Sequence, residues 1–423
     1  MSPFDLAAVL LLIAAVIGFV NNRWIGLPQS IGLLTGALSV SLVILALDPL
    51  VPHHLLTGFA RDALAVIDLP RVLLDGVLAF LLFAASLHVS LDDLRTNKWT
   101  IMALATVGVI LSTMLFGGLI WAVFQASSAP VPIRWCMVLG AILAPTDAVV
   151  VDGLLRRVEL PGALKAAISG ESLFNDGVAV VIFLAALASA EGATGLLGHG
   201  VIAARLLVES AGGAAIGIAT GYCAAASIHR SADYNVKLTI SLALVLVTYR
   251  LAQAAGMSGP IGVVAAGLLI GRQAHRMGTS GPEPAQSGFA DIVAFWSVVD
   301  ELLNALLFVL IGFEVLGIAL SRVELIPIIA AIPLSLLARA ISVSVPMLLM
   351  RLRPRDRGRG VAVLTWAGLR GGVSVALALT LPATPYRAPL LTVCYAVVVF
   401  SIVVQGLTMP HFIRWIATAT PQK

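Results

Sequence analysis

The stretch Ala141-Ile-Leu-Ala-Pro145-Thr146-Asp147-Ala-Val-Val-Val-Asp152 sets a proline, a hydroxyl and two carboxylates inside an otherwise apolar run. Pro145 has no N–H and clashes with the carbonyl four residues back, so a helix through it loses part of its hydrogen-bond ladder. The flanks extend the apolar run over residues 133–155, and about 20 such residues cross a bilayer. Backbone freed at membrane depth is tolerated only where it lines a cavity or is buried in protein. The stretch is therefore expected to be an interrupted membrane helix, with Thr146 and Asp147 directly after the break.

The rest of the chain agrees with that setting. Of 423 residues, 59% are hydrophobic and only 11% charged, with a mean hydropathy of +1.02. Soluble domains carry about 25% charged residues. A soluble enzyme and a nucleic-acid binder are both excluded; the fold class is an all-α polytopic membrane protein. Thirteen spans are expected, near 4–21, 28–47, 71–90, 100–125, 133–155, 161–190, 201–228, 236–254, 258–271, 290–319, 324–350, 359–382 and 389–413. Long β-branched alternation is missing, which argues against a β-barrel. The first apolar run has no Lys or Arg before Arg23 and reads as a retained span rather than a secretory signal. No segment is long enough for a soluble regulatory domain. Cys136, Cys223 and Cys394 lie in apolar runs at no metal-ligand spacing, and read as small hydrophobes.

Basic residues collect in cytoplasmic loops. With the N-terminus outside, seventeen Lys and Arg fall inside and seven outside, while Arg339 and Arg370 lie within spans. The expected topology is N-terminus out and C-terminus cytoplasmic, in the cell (inner) membrane. Arg351, Arg353, Arg355, Arg357 and Arg359 form the strongest anchor of that orientation.

Two further spans carry polar groups at depth, where an ionisable side chain by default marks an ion path or a paired structural site. The first reads Ser169-Gly-Glu171-Ser172-Leu-Phe-Asn175-Asp176-Gly177. Ser172 and Asp176 are four apart and share a helical face. Glu171 lies roughly 140° round from Asp176 at 3.6 residues per turn, so it does another job. The second reads Trp366-Ala-Gly368-Leu-Arg370-Gly371-Gly372-Val-Ser374, where three glycines around an arginine predict a second broken helix. Six spans on either side of residues 201–228 suggest two inverted repeats, about 4–190 and 236–413, joined by that linker helix in a single transporter domain. The interrupted spans then occupy corresponding positions, the arrangement that marks a transporter binding site.

Taken in this order, Ala-Pro-Thr-Asp (144–147), Gly-Glu-Ser-Leu-Phe-Asn-Asp-Gly (170–177) and Gly-Leu-Arg-Gly-Gly-Val-Ser (368–374) resemble the sodium/proton exchanger family of monovalent cation:proton antiporters, of the bacterial NhaP type. Asn22-Arg23 with residues 26–32, and the string from Asn304 to Gly312, extend the resemblance to nearly the whole chain. It implies an antiporter fold with two discontinuous crossing helices, related to that of NhaA, assembled as a homodimer with a moving core. It implies an ion- and proton-binding set of Asp176, Asn175, Ser172, Thr146 and Asp147, in which Asp176 binds cation and proton in turn, Ser172 and Thr146 are sodium ligands beside it, and Asn175 is the partner that defines an Asn-Asp subclass. Asp147 would sit at the crossing of the broken helices and offset positive helix ends. Glu171 and Arg370 match a buried structural ion pair. One departure concerns the glutamate that many relatives carry after the phenylalanine of the third span. Here Phe83 is followed by Ala84.

The function expected is sodium/proton antiport by competition for Asp176, with potassium as the alternative cation. Electrogenic relatives pair two adjacent aspartates with a membrane lysine. Here Asn175 fills the first position and Lys98, Lys165, Lys237 and Lys423 lie outside the spans or at their ends, so exchange of one cation for one proton is expected. No cofactor and no nucleic-acid partner are implied. A cation channel would want a continuous polar pore. An intramembrane aspartyl protease could use Asp147 with Asp176, but its usual Gly-x-Gly-Asp string is missing. His88 reads as a structural histidine at a span's end. Asp75, Glu209, Asp300, Glu301 and Glu314 read as partners for groups such as Arg339.

Overall fold

An apolar segment in lipid must satisfy its own backbone, which a helix does without help from neighbours. The computed structural model describes residues 3–50, 58, 76–89, 94, 96–127, 130–147, 162–192, 196–278, 288–317, 325–348 and 354–418, and among these there is no strand. The helices are α1 (Pro3–Val20), α2 (Gln29–Leu47), α3 (Leu78–His88), α4 (Lys98–Gln125), α5 (Ile133–Ile142), α6 (Gly162–Ala190) and α7 (Leu196–Arg230). They continue as α8 (Tyr234–Ala254), α9 (Gly259–Gly278), α10 (Gly288–Glu314), α11 (Leu325–Met347), α12 (Pro354–Trp366), α13 (Gly372–Leu379) and α14 (Arg387–Ile416). Every stretch expected to span contains a helix. Among the described residues nine helices are long and apolar enough to cross a membrane, and α3 and α5 are shorter apolar helices. Residues 71–75 and 148–155 of the expected spans, with Asp75 and Asp152, lie outside the described residues.

Large apolar side chains point both inward and outward, as a bilayer solvent permits. Leu12, Phe19 and Ile329 are 64%, 65% and 67% exposed, a surface that water would penalise and lipid accepts. Inside, one extended cluster gathers α1, α2, α4, α5, α6 and α10 to α14 around residues such as Phe116, Leu139, Phe308 and Leu369. A second joins α3, α7, α8, α9 and α10 around Phe83, Val245, Ala266 and Trp296. Trp296 packs on Phe83 at 4.7 Å between centroids and donates its indole N–H to Ser241 Oγ at 3.0 Å. Buried in this way, the one polar atom of the ring has its partner.

Helices attract each other in lipid by close packing rather than by leaving water. Gly217 of α7 faces Gly262 of α9 so closely that a Cβ would strike the Gly262 carbonyl. The α7–α9 pair therefore depends on small residues, as membrane interfaces commonly do.

Candidate functional site

Both expected breaks are present, and they meet. Pro132 stands in extended conformation (φ −61°, ψ 145°) ahead of α5. Its carbonyl accepts from the Trp135 and Cys136 amides at 3.0 and 3.2 Å. At the other end the ladder closes with Leu143 N–H to Leu139 O (3.0 Å) and Ala144 N–H to Ala141 O (3.3 Å). Pro145 follows and cannot continue it. On the partner span, α12 stops at Trp366 and α13 restarts at Gly372. The Asp147 amide donates to the Leu369 carbonyl at 2.7 Å, which stitches one unwound stretch to the other.

Arg370 reaches back the opposite way. Its Nη1 donates to the carbonyls of Ala144 (2.6 Å) and Pro145 (2.9 Å). These acceptors lie in the unwound stretch just past α5, and a guanidinium is the side chain best supplied with donors to satisfy them. The Arg370 amide in turn donates to Ser401 Oγ at 2.8 Å. Ser401 opens a π-helical turn, Ser401–Gln405, within α14. Gly371 completes the crossing, because a Cβ there would overlap the Asp147 carboxylate. The acid lies directly against the glycine backbone.

The expected Glu171–Arg370 ion pair is corrected by this geometry. Glu171 pairs instead with Arg339 of α11: Nη1 meets Oε1, and Nη2 donates to Oε2 at 2.9 Å. All three residues are buried. Glu171 faces away from Asp176, as the helical angle required, but the element on that side is α11. Gly368 makes room for Arg339, since a Cβ would come within 2.6 Å of its Nε.

The cation-site candidates converge. A cavity of about 40 Å³ is lined by Thr146, Asp147, Ser172, Asp176, Asn304 and Ser374 among apolar residues of α3, α10 and α13. That is room for two or three waters by volume. Asp176 is 8% exposed, and its Oδ1 has no hydrogen-bond partner. Thr146 Oγ1 and Ser172 Oγ share a hydrogen bond at 3.0 Å, and Asn175 Nδ2 donates to Thr146 Oγ1 at 2.7 Å. Asn175 is fully buried behind the cavity and is absent from its lining. It positions Thr146 rather than facing the space.

Two lining residues were not assigned to the site from sequence. Asn304 donates through Nδ2 to the Asp300 carbonyl (2.8 Å) and to Asp300 Oδ1 (3.1 Å). Ser374 is 1% exposed, and its hydroxyl has no partner. Both sit within strings quoted for their likeness to a family; a polar residue inside a membrane span was the signal. His88 ties α3 to α10, with Nδ1 2.9 Å from the Ala84 carbonyl and Nε2 3.0 Å from Ser297 Oγ. Ala84 itself is buried and offers no oxygen side chain.

Comparison with known proteins places the fold and the family. The Na(+)/H(+) antiporter NhaP of Pseudomonas aeruginosa is 37% identical over 427 residues, covering 99% of this chain and 98% of that protein. The Na(+)/H(+) antiporter NhaH of Halobacillus dabanensis is 31% identical over 342 residues, 80% of this chain and 81% of its own. The solved structure of the sodium proton antiporter MjNhaP1 from Methanocaldococcus jannaschii aligns with a TM-score of 0.73 at 18% identity, over 97% of this chain and 96% of that one. The fold is therefore the one seen in that antiporter. The transmembrane sodium/hydrogen exchanger model matches residues 9–415, and with crossing broken helices around a buried Asn-Asp pair the chain belongs to the sodium/hydrogen exchanger family.

Proposed function

We propose that this protein exchanges Na+ for H+ across the membrane, one for one, by letting both compete for the carboxylate of Asp176. The observation that carries the proposal is an aspartate at membrane depth whose Oδ1 has no partner in a cavity between two broken helices. A bare carboxylate out of water is costly, so Asp176 is stable when it holds either a proton or a cation. Sodium is a hard cation and takes oxygen ligands, for which Asp176, Ser172, Thr146 and Asp147 are the candidates. The relatives described above are Na(+)/H(+) antiporters, which supports the same activity here.

Coupling then needs no other energy source. If only the neutralised site can move between the two sides, each cation carried one way is answered by a proton carried the other. Asn175 contributes no charge of its own, which favours an electroneutral cycle. The same proposal includes a homodimer in the inner membrane, N-terminus outside, with two inverted repeats flanking α7.

The test is flux in proteoliposomes. Wild-type protein should collapse a pH gradient when Na+ is added, at a rate indifferent to an imposed membrane potential. Asp176→Asn should fold and be inert. Sodium-dependent proton movement by that variant would refute the assignment, and a rate that follows the potential would refute the one-for-one stoichiometry.

A further inference from the structure

We propose that Ser374 is a specificity-determining ligand, whose hydroxyl completes the oxygen cage around the cation held by Asp176. The proposal rests on the antiport reading and adds a group from the second broken helix to the site. Its starting point is a count of hydroxyls. A serine or threonine hydroxyl has one proton and two lone pairs. Thr146 Oγ1 accepts from Asn175 at 2.7 Å and shares a further hydrogen bond with Ser172 at 3.0 Å. With Thr146 donating to Ser172, each of the two keeps one lone pair for a cation. Ser374 is a residue of the same cavity lining, and its buried Oγ has no partner.

A buried hydroxyl without a partner loses the solvation it had in water. Such a group persists where something else occupies the space in a working state. The same lining includes Asp176, whose Oδ1 is also without a partner among the described residues. A hydroxyl and a carboxylate oxygen facing one small cavity are what a dehydrated alkali cation would draw together.

The position is rigid. Ser374 is the third residue of α13, just after the Gly371 that lies against Asp147. Its neighbours Val375, Ala376 and Leu377 are buried. An oxygen fixed in this way sets the far wall of the cage, so it discriminates by size. A small cation sits close to the carboxylate and needs the far oxygen least; a larger one loses more when it is removed.

The experiment measures half-saturating Na+ and Li+ for exchange in proteoliposomes, together with cation-dependent thermal stabilisation of the detergent-solubilised full chain. Ser374→Ala should raise the half-saturating Na+ roughly tenfold, the factor that 1.4 kcal/mol of lost affinity produces. The change for Li+ should be smaller. Ser374→Thr keeps the oxygen and should stay near wild type, whereas Ser374→Cys keeps the size and should behave as Ser374→Ala. Unchanged Na+ dependence and an unchanged Na+/Li+ ratio in Ser374→Ala would overturn the proposal, as would equal losses in the Thr and Cys variants. Should Ser374→Ala not fold, the Thr and Cys pair decides alone. Activity in Asp176→Asn would refute the antiport reading instead, and the binding measurements would still decide the role of Ser374.

Discussion

Glu171 and Arg339 are buried opposite charges, joined by two hydrogen bonds between α6 and α11. Removing one partner of such a pair leaves the other charge unpaired and costs about 3–5 kcal/mol. Glu171→Gln and Arg339→Ala should each lower the melting temperature sharply. The swapped variant, Glu171→Arg with Arg339→Glu, should lose less stability than the two single losses added together, as contacting residues do. The corresponding swap of Glu171 with Arg370 should recover nothing, and recovery there would return the pair to Arg370. Sequence alone could not make this choice. It shows two arginines within spans and one glutamate facing away from Asp176, but not which helix lies on that side. The contacts that decide it, such as Arg339 against Gly368, join residues far apart in the chain.

Between elements, the crossing of the two broken helices was legible in part. Pro145 and the glycines at 368, 371 and 372 announce their breaks because one removes a donor and the others weaken helix continuity. The register of the crossing was not legible. It depends on Asp147 N–H meeting Leu369 O and on Arg370 meeting the carbonyls of Ala144 and Pro145. Arg370 thus acts as a side-chain cap for the end of α5. Arg370→Ala would strand those two buried acceptors, each worth about 1–3 kcal/mol unsatisfied, and should lower thermal stability and exchange together. Arg370→Lys supplies donors without the planar fork and should restore part of both. A wild-type melting temperature for Arg370→Ala would show that the carbonyls find other partners. The position of Asn175 belongs to the same scale. As neighbour to Asp176 it was expected at the ion, yet the turn of α6 carries it to Thr146 behind the cavity.

At the scale of the whole molecule, composition already required a helical membrane protein, and each expected span contains a helix. The lipid-facing surface and the glycine-paired helices follow from the same solvent. What the fold achieves is to hold a carboxylate away from water in a cavity lined by hydroxyl-bearing residues of both broken spans and of α6. The central claim is that one group, Asp176, takes the cation and gives up the proton. Proton release on cation binding tests it most directly. Sodium is titrated into detergent-solubilised, weakly buffered protein, starting from a pH at which the site is protonated. Wild-type protein should release close to one proton per Na+ bound, and lowering the pH further should weaken Na+ binding by about tenfold per unit, since two ligands of one site depress each other's affinity reciprocally. Asp176→Asn should release none. Sodium binding without proton release, or release that persists in Asp176→Asn, would contradict the claim.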